Sequence, residues 1–252
     1  MGSVCGNGNA NRWQAAPGDV APSFSNLYSV HFNGTNQFLG TKVAVSPLFG
    51  EGGTGDFSIS FWVKADNMST GSNQRLWASG TGSTLQTQMY ITTGGNLQFA
   101  GPWSDGYSWG KTSGTWNHVV YRVRTDISSL NVGYVINGTE INNKSETITT
   151  TFDDTGYFYV GRNGGSYGFE GNIDEFAVWN KYLSDADCLA IYNGGAAPAL
   201  NSLNFSSFLQ HWWRMGDPSG PPTWPTITDF KGSLNLIMNA QTTSSNIETD
   251  VP

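Results

Sequence analysis

At 252 residues the chain is long enough for one large all-β domain or two small ones, and in either case for a sizeable buried core. Asp, Glu, Lys and Arg make up only 12% of it, about half the usual share, while Gly (32), Trp (10), Tyr (10) and Phe (14) are abundant, so Asn, Ser, Thr and Gly must carry the surface. A net charge of −7, a pI near 4.8 and the lack of any Lys/Arg cluster exclude nucleic-acid binding, whose affinity comes from phosphate neutralisation; a surface so poor in charge suits a protein covered in an assembly, or one that touches neutral polar ligands such as sugars.

Residues 1–26, beginning MGSVCGNGNANRWQ, are rich in Gly, Asn, Ala and Pro and cannot form their own core, so they read as an N-terminal arm. They hold no apolar run of about 7 to 15 residues, and no later stretch approaches about 18. Neither a secretion signal nor a membrane span is therefore expected, and the chain is expected to fold inside a cell. Strands begin with LYSVHF, followed by Asn33-Gly34 as a tight-turn signal and then QFLGTKVAV. Phe57, Ile59, Phe61 and Val63 alternate with Ser58, Ser60, Trp62 and Lys64 in the clearest period-two pattern of the chain. QRLWAS, QMYITT and LQFAG follow, the last two joined across Gly94-Gly95 as a hairpin. Next come WNHVVYRVR and NVGYVI, which Asn137-Gly138 turns into TEINNK.

Tyr157 and Tyr159 face one way and Phe158 and Val160 the other, which predicts a central strand apolar on both faces. Ile173, Phe176, Val178 and Trp179 form another apolar strand. The run Leu183-Ser-Asp-Ala-Asp187 then predicts a capping box: Ser184 as N-cap accepting the Asp187 N–H, Leu183 stapled against Cys188, and Gly194 ending the helix. Short strands separated by Gly and Asn turns predict an all-β, antiparallel two-sheet jelly-roll sandwich with one short helix over residues 27–195. The remainder, 196–252, changes character: HWWRMGD is a compact aromatic strand, PSGPPTWP a Pro-broken loop, and ITDFKGSLNLIMNA returns to alternation. Trp212, Trp213, Leu234, Leu236 and Ile237 are too apolar for water, so this extension docks on its own sandwich or on a neighbouring subunit. Trp62, Trp77, Trp116 and Trp179 are assigned to the core. Cys5 and Cys188 lie in unlike contexts and make no disulfide framework. Sequons at Asn33, Asn67, Asn137, Asn143 and Asn204 reflect an Asn/Ser/Thr-rich surface.

In order along residues 27–194, FNGTNQF, FSISFWVKAD, WNHVVYRV, INGTE, YVGRNGG and GNIDEFAVWNKYLSDADCLAIYN resemble the laminin G-like, concanavalin A-type lectin/glucanase superfamily. HWWRMGD, ITDFKGSLNLIMN and the ending DVP resemble the tail that follows such domains in virion proteins of tailed phages. Together the resemblances imply a jelly roll serving as a non-enzymatic structural or surface protein of a phage particle, as a head decoration, fibre or tail component. Its partners would be other virion proteins and copies of itself, with a glycan or the host surface in reach of the sandwich and no nucleic acid or membrane. A free-standing carbohydrate-binding lectin module of a cellular organism is the alternative, and a polysaccharide hydrolase the third reading.

Glucanases of the superfamily carry E-x-D-x-x-E or E-x-D-x-E on one strand, because retention needs two carboxyls about 5 to 5.5 Å apart. No such motif occurs here. Asp153/Asp154 and Asp174/Glu175 are adjacent and point to opposite faces of a strand, Glu170 is separated from the latter pair by Gly171, and His31, His118 and His211 are isolated. No catalytic residue is assigned. The resemblance also implies a structural Ca²⁺, for which Asp174 of GNIDEF would supply a carboxylate and the Asn33 to Thr35 turn further oxygens, although the family often shows Asp where this chain has Asn33. The competing role for Asp174 is to accept N–H groups of its own turn. Glycan sites in this fold use loop aromatics with amides and acids, and here Trp103, Asp105, Tyr107 and Trp109 of GPWSDGYSWGKTSG, with Asn163 and Tyr167 of RNGGSYG, are the candidates. The competing fate of those aromatics is to cover a sheet edge or a subunit interface.

Overall fold

A computed structural model of the chain describes residues 24–44, 55–81, 84–101, 104–125, 129–147, 156–161, 167–216, 225–239 and 243–252. Its strands, in chain order, are β1 (Ser29–Asn33), β2 (Leu39–Thr41), β3 (Phe57–Ala65), β4 (Gln74–Thr81), β5 (Thr84–Ile91), β6 (Leu97–Ala100), β7 (Ser104–Tyr107) and β8 (Asn117–Thr125). After them come β9 (Ser129–Ile136), β10 (Thr139–Thr147), β11 (Tyr157–Val160), β12 (Glu170–Trp179), β13 (Leu209–Trp213), β14 (Thr226–Ile227), β15 (Leu236–Met238) and β16 (Ile247–Glu248). One helix, α1 (Asp185–Tyr192), follows β12. The strands form two antiparallel sheets, the jelly-roll sandwich that the sequence predicts. Sheet A runs β10-β9-β8-β3-β12-β1-β16, with β13 also paired to β12, and sheet B runs β14-β15-β2-β11-β4-β5-β6-β7.

Alternation explains the main core. From β3, Phe57, Ile59, Phe61 and Val63 point between the sheets, where they meet Phe158 and Val160 of β11. Phe61 stacks on Phe176 at 5.2 Å, Phe99 on Tyr121 at 4.5 Å and Phe158 on Trp213 at 5.7 Å. Rings so placed contribute both buried area and favourable offset packing. The alternate face of β3 is buried as well, because α1 and the segment after it lay a second core over sheet A, built on Trp179, Leu183, Cys188, Ile191, Phe205 and Trp212. Ser58 and Ser60 survive there by bonding: Ser58 Oγ donates to Lys181 O at 2.7 Å, and Trp179 Nε1 donates to Ser60 Oγ at 3.0 Å.

The helix start is the one the sequence predicts. Asp187 N–H donates to Ser184 Oγ at 3.2 Å, and Ser184 N–H donates to Asp187 Oδ2 at 2.9 Å. Its end differs by one residue: Asn193 takes the left-handed cap position at φ 47°, ahead of Gly194, a role in which Asn is the usual substitute for Gly. Asn137 and Gly138, both at positive φ, make the hairpin turn between β9 and β10. The Asn33-Gly34 turn has another destination, since β1 lies in sheet A and β2 in sheet B, so it carries the chain from one layer to the other.

The C-terminal extension completes its own sandwich. β13 pairs with β12, β15 with β2 and β16 with β1, so it adds strands to both sheets. Trp213 and Leu236 enter the main core, and Trp212 the second. A buried ion pair ties these parts together. Glu175, at φ 46° on an irregularity of β12, accepts Arg214 Nε at 3.2 Å and the Trp212 indole N–H. Arg214 Nη2 in turn donates to Ser25 O at 2.7 Å, and its guanidinium lies 4.4 Å from the Phe24 ring centre.

Candidate functional site

Where β1, the β3–β4 loop and the segment entering β12 meet, they enclose a cleft of about 350 Å³. The sequence dictates its walls. Asn33 Oδ1 accepts the N–H groups of Thr35 (3.0 Å) and Asn36 (3.3 Å), an Asx-type turn that fixes the first wall. Gly34 sits at φ 73° and donates its N–H to Phe169 O at 2.9 Å. Opposite it, Gly168 approaches so closely that a Cβ there would lie 2.5 Å from Gly34 C, so this junction requires glycine. Gln74, nearly fully buried, holds the other wall by donating to Asn67 O and accepting Glu170 N–H at 3.2 Å. Tyr167 stands at the rim at φ 66°, 47% exposed, with the Arg75 guanidinium 4.6 Å from its ring centre. The lining is therefore hydroxyls of Thr35, Thr70 and Ser72, carboxamides, one aromatic ring and one carboxylate, Glu170.

Of the sequence-predicted glycan residues, Tyr167 lies in this cleft. Trp103 and Asn163 lie outside the described residues. Asp105, Tyr107 and Trp109 turn inward instead of presenting a platform. Asp105 and Tyr107 share the inner face of β7; Asp105 is buried and paired with Lys144 of β10, and Tyr107 stacks on Tyr134. Trp109 is 4% exposed and donates its indole N–H to Gly95 O at 2.9 Å. Strand parity explains the correction, because the outward positions of β7 belong to Ser104 and Gly106.

The predicted metal donors are not brought together. The β1–β12 register places Asn33 opposite Glu170, which leaves Asp174 four residues further along β12, on the order of 13 Å away. Fully buried, Asp174 accepts Asn26 Nδ2 at 2.8 Å and the Glu175 N–H at 2.7 Å, while Asn33 Oδ1 is spent on its own turn. These two donors do not fit a shared calcium ion, and among the described residues no group of three or more His, Cys, Asp or Glu could hold a metal. Asp229 is a site that sequence reasoning passed over. It accepts the His211 ring at 2.6 Å and the N–H groups of Trp212, Lys231, Gly232 and Leu234, which makes it the organiser of the DFKG turn. Those bonds hold its carboxyl below the ordinary carboxylate range against the opposing effect of burial. The D-F-K-G spacing, an Asx-turn acid two and three residues before N–H donors, was the available signal. His31 pairs with Asp66 at 2.9 Å, and His118 is buried between Trp62 and Tyr192, so none of the three histidines accompanies a nucleophile. Among the described residues, no helix is long and apolar enough to cross a membrane.

A family profile described as the concanavalin A-like lectin/glucanases superfamily matches residues 34–188. A search of curated proteins found no match. Among solved structures, a candidate carbohydrate binding protein from Bacteroides ovatus superposes with a TM-score of 0.66 at 18% identity, over 90% of this chain and 60% of that one. The heptameric SAP-like pentraxin of Limulus polyphemus gives 0.52 at 13% identity, over 84% and 95% of the two chains. The receptor binding domain of botulinum neurotoxin D gives 0.51 at 15%, over 68% and 44%. The chain thus spans 60% of the length of the Bacteroides protein, and at these identities the likeness is one of fold.

Proposed function

Because the chain belongs to the concanavalin A-like lectin/glucanases superfamily, we propose that it is a non-catalytic, lectin-like module whose cleft between Asn33, Ser72 and Tyr167 holds a saccharide. The lining of that cleft carries the reading: an exposed ring beside hydroxyls and carboxamides is the chemistry that meets a sugar's apolar face and its hydroxyls. The Bacteroides protein of the same fold, itself a candidate carbohydrate binding protein, supports it. Glycoside hydrolysis needs a second carboxyl facing the first. Among the described lining residues Glu170 is the sole acid, and Asp174, Glu175 and Asp229 are committed to bonds of their own.

The finer setting we propose is the surface of a tailed-phage particle, with other virion proteins and copies of the chain as partners. The charge-poor composition and the phage-like HWWRMGD and ITDFKGSLNLIMN segments support it. Since the extension is used within its own sandwich, anchoring falls to the N-terminal arm. The alternative is a lectin module acting alone. A glycan array with the purified chain tests the cleft: binding that Tyr167→Ala and Ser72→Ala weaken, unchanged by EDTA, is expected, and a silent array contradicts it. Mass and fractionation separate the settings. An oligomer co-purifying with particles supports the virion reading, whereas a monomer found free in lysate favours the lone lectin.

A further inference from the structure

From Asn246 onward the chain forms a strap across one margin of sheet A. Asn246, nearly buried, is its anchor: it donates Nδ2 to His31 O at 3.0 Å and shares bonds with Gln37. Beyond it, β16 lies on the outer edge of β1 through two register pairs, Ile247 with Val30 and Glu248 with Ser29, and is the outermost strand on that side of the sheet. The strap then leaves the edge and runs over the outer face, so that the Asp250 side chain reaches Lys64 of β3 and Trp116 beside β8.

The surface beneath the strap is built to receive carboxylates. Val30, Ile173 and Val63 fill the main core, so their neighbours Ser29, Asn172 and Lys64 face outward from β1, β12 and β3. Asn172, buried, donates Nδ2 to Glu248 Oε2 at 3.0 Å and to Ser29 Oγ at 3.0 Å. Ser29 Oγ in turn donates to Asp250 O at 2.6 Å, while Lys64 Nζ and Trp116 Nε1, the latter at 2.8 Å, donate to the Asp250 carboxylate. Burial pushes that carboxyl up, but the bonds from Lys64 and Trp116 outweigh it and hold the group below the ordinary carboxylate range. Apolar support is slight by comparison: within 247–252, Ile247 is the residue that packs against the main core.

We infer that the β1 edge, with Asn172, Lys64 and Trp116, is a docking surface for an extended acidic strand, and that its occupant in an assembly is segment 247–252 of a second copy, exchanged for the chain's own. Polar contacts of this kind are returned to water at small net cost, so the strap can open while the packed core stays closed. Opening leaves β1 as an unpaired edge beside a lysine and an indole N–H. Such an edge takes up another strand by main-chain pairing and selects it by its side-chain slots. The occupant must carry two carboxylates two residues apart behind an apolar residue, and Ile247-Glu-Thr-Asp250 fills each of those slots already. A two-fold contact between β1 edges brings the Asn246 anchor of each copy beside the other's β1, and six extended residues reach about 20 Å, enough to cross. The exchange reuses existing contacts, and it does not depend on what the cleft holds.

Charge reversal in full-length chains tests the exchange. Asp250→Lys spoils the strap and Lys64→Asp spoils the slot. Mixed and warmed below the melting temperature, the two variants should form a one-to-one heterodimer, read by sedimentation and native mass, about tenfold or more tighter than either forms with itself, because each strap then meets a slot of opposite charge on the other copy. The double variant Lys64→Asp/Asp250→Lys should associate as the parent does. A mixture that stays monomeric, or parent association that both single variants leave unchanged, overturns the inference. Hydrogen–deuterium exchange of the parent needs no variant and gives a second reading. Amides of the β1–β16 pair should exchange about tenfold or more faster than those of β3 and β12, and more slowly as the protein concentration is raised. Exchange at the rate of the core, or at a rate independent of concentration, would make the strap an intramolecular clasp and overturn the exchange between copies.

Discussion

Burial holds the His118 imidazole neutral far below its ordinary range, down to about 3, because the ring is enclosed by Trp62 at 5.0 Å and Tyr192 at 6.3 Å and its Nδ1 has no partner among the described residues. The unfolded chain takes up a proton near pH 6.5 and the folded one does so only near 3. The folded state is therefore fully favoured above about 6.5 and loses stability as pH falls through that window, at up to about 1.4 kcal/mol per unit from this residue. Urea unfolding at pH 7 and 4.5 should show a fall in the parent about 2 kcal/mol larger than in His118→Phe, in which the carboxylate contributions are unchanged; equal falls would contradict the burial argument. The Glu175–Arg214 pair is the other residue on which stability turns. Glu175→Gln leaves the Arg214 guanidinium buried without its counter-charge and should cost about 3 kcal/mol or more by the same measurement, where a cost below about 1 would show the pair to be dispensable. Neither site stands out in the sequence. His118 lies in an ordinary strand pattern, and Glu175 and Arg214 are 39 positions apart, so only the fold reveals their partners.

Elements governed by local chemistry were the most legible. The N-terminal helix cap, the Asn137-Gly138 hairpin and the central position of β11 all follow from neighbours within a few residues, and all occur as read. Where the outcome depends on which sheet a strand joins, local signals fall short. Asn33-Gly34 announces a turn but not that it crosses between layers, and the Gly-flanked aromatics after β6 announce a loop although Asp105 and Tyr107 sit on a strand and Trp109 packs into the core. The cleft is likewise a product of crossing segments, since it joins residues near 33, 72 and 168. Its Gly34–Gly168 junction offers a test at this scale. Gly168→Ala would place a Cβ against the Gly34 backbone, forcing the two walls apart at a cost of about 1 to 3 kcal/mol, with weaker saccharide binding measured on the folded variant; a neutral effect on both would mean that the junction does not shape the cleft.

At the level of the whole molecule, the 196–252 extension belongs to the sandwich in a way that its altered composition did not announce. It adds a strand beside β12, another beside β2 and a third beside β1, and it contributes Trp213 to the core between the sheets. A chain ending at 208 should therefore aggregate or unfold, because it would expose Phe158, Phe176 and Trp179; a soluble, cooperatively melting product would show the extension to be an accessory. The charge-poor composition finds its counterpart in a cleft lined by hydroxyls, carboxamides and one tyrosine, in which Glu170 is the sole acid among the described lining residues. The most direct measurement of that account is incubation of the purified chain with a polysaccharide built from a sugar that it binds on the array, followed by sizing of the polymer and counting of new reducing ends. Binding with the polymer recovered at its original length is the predicted result, and progressive shortening of the chains would contradict it.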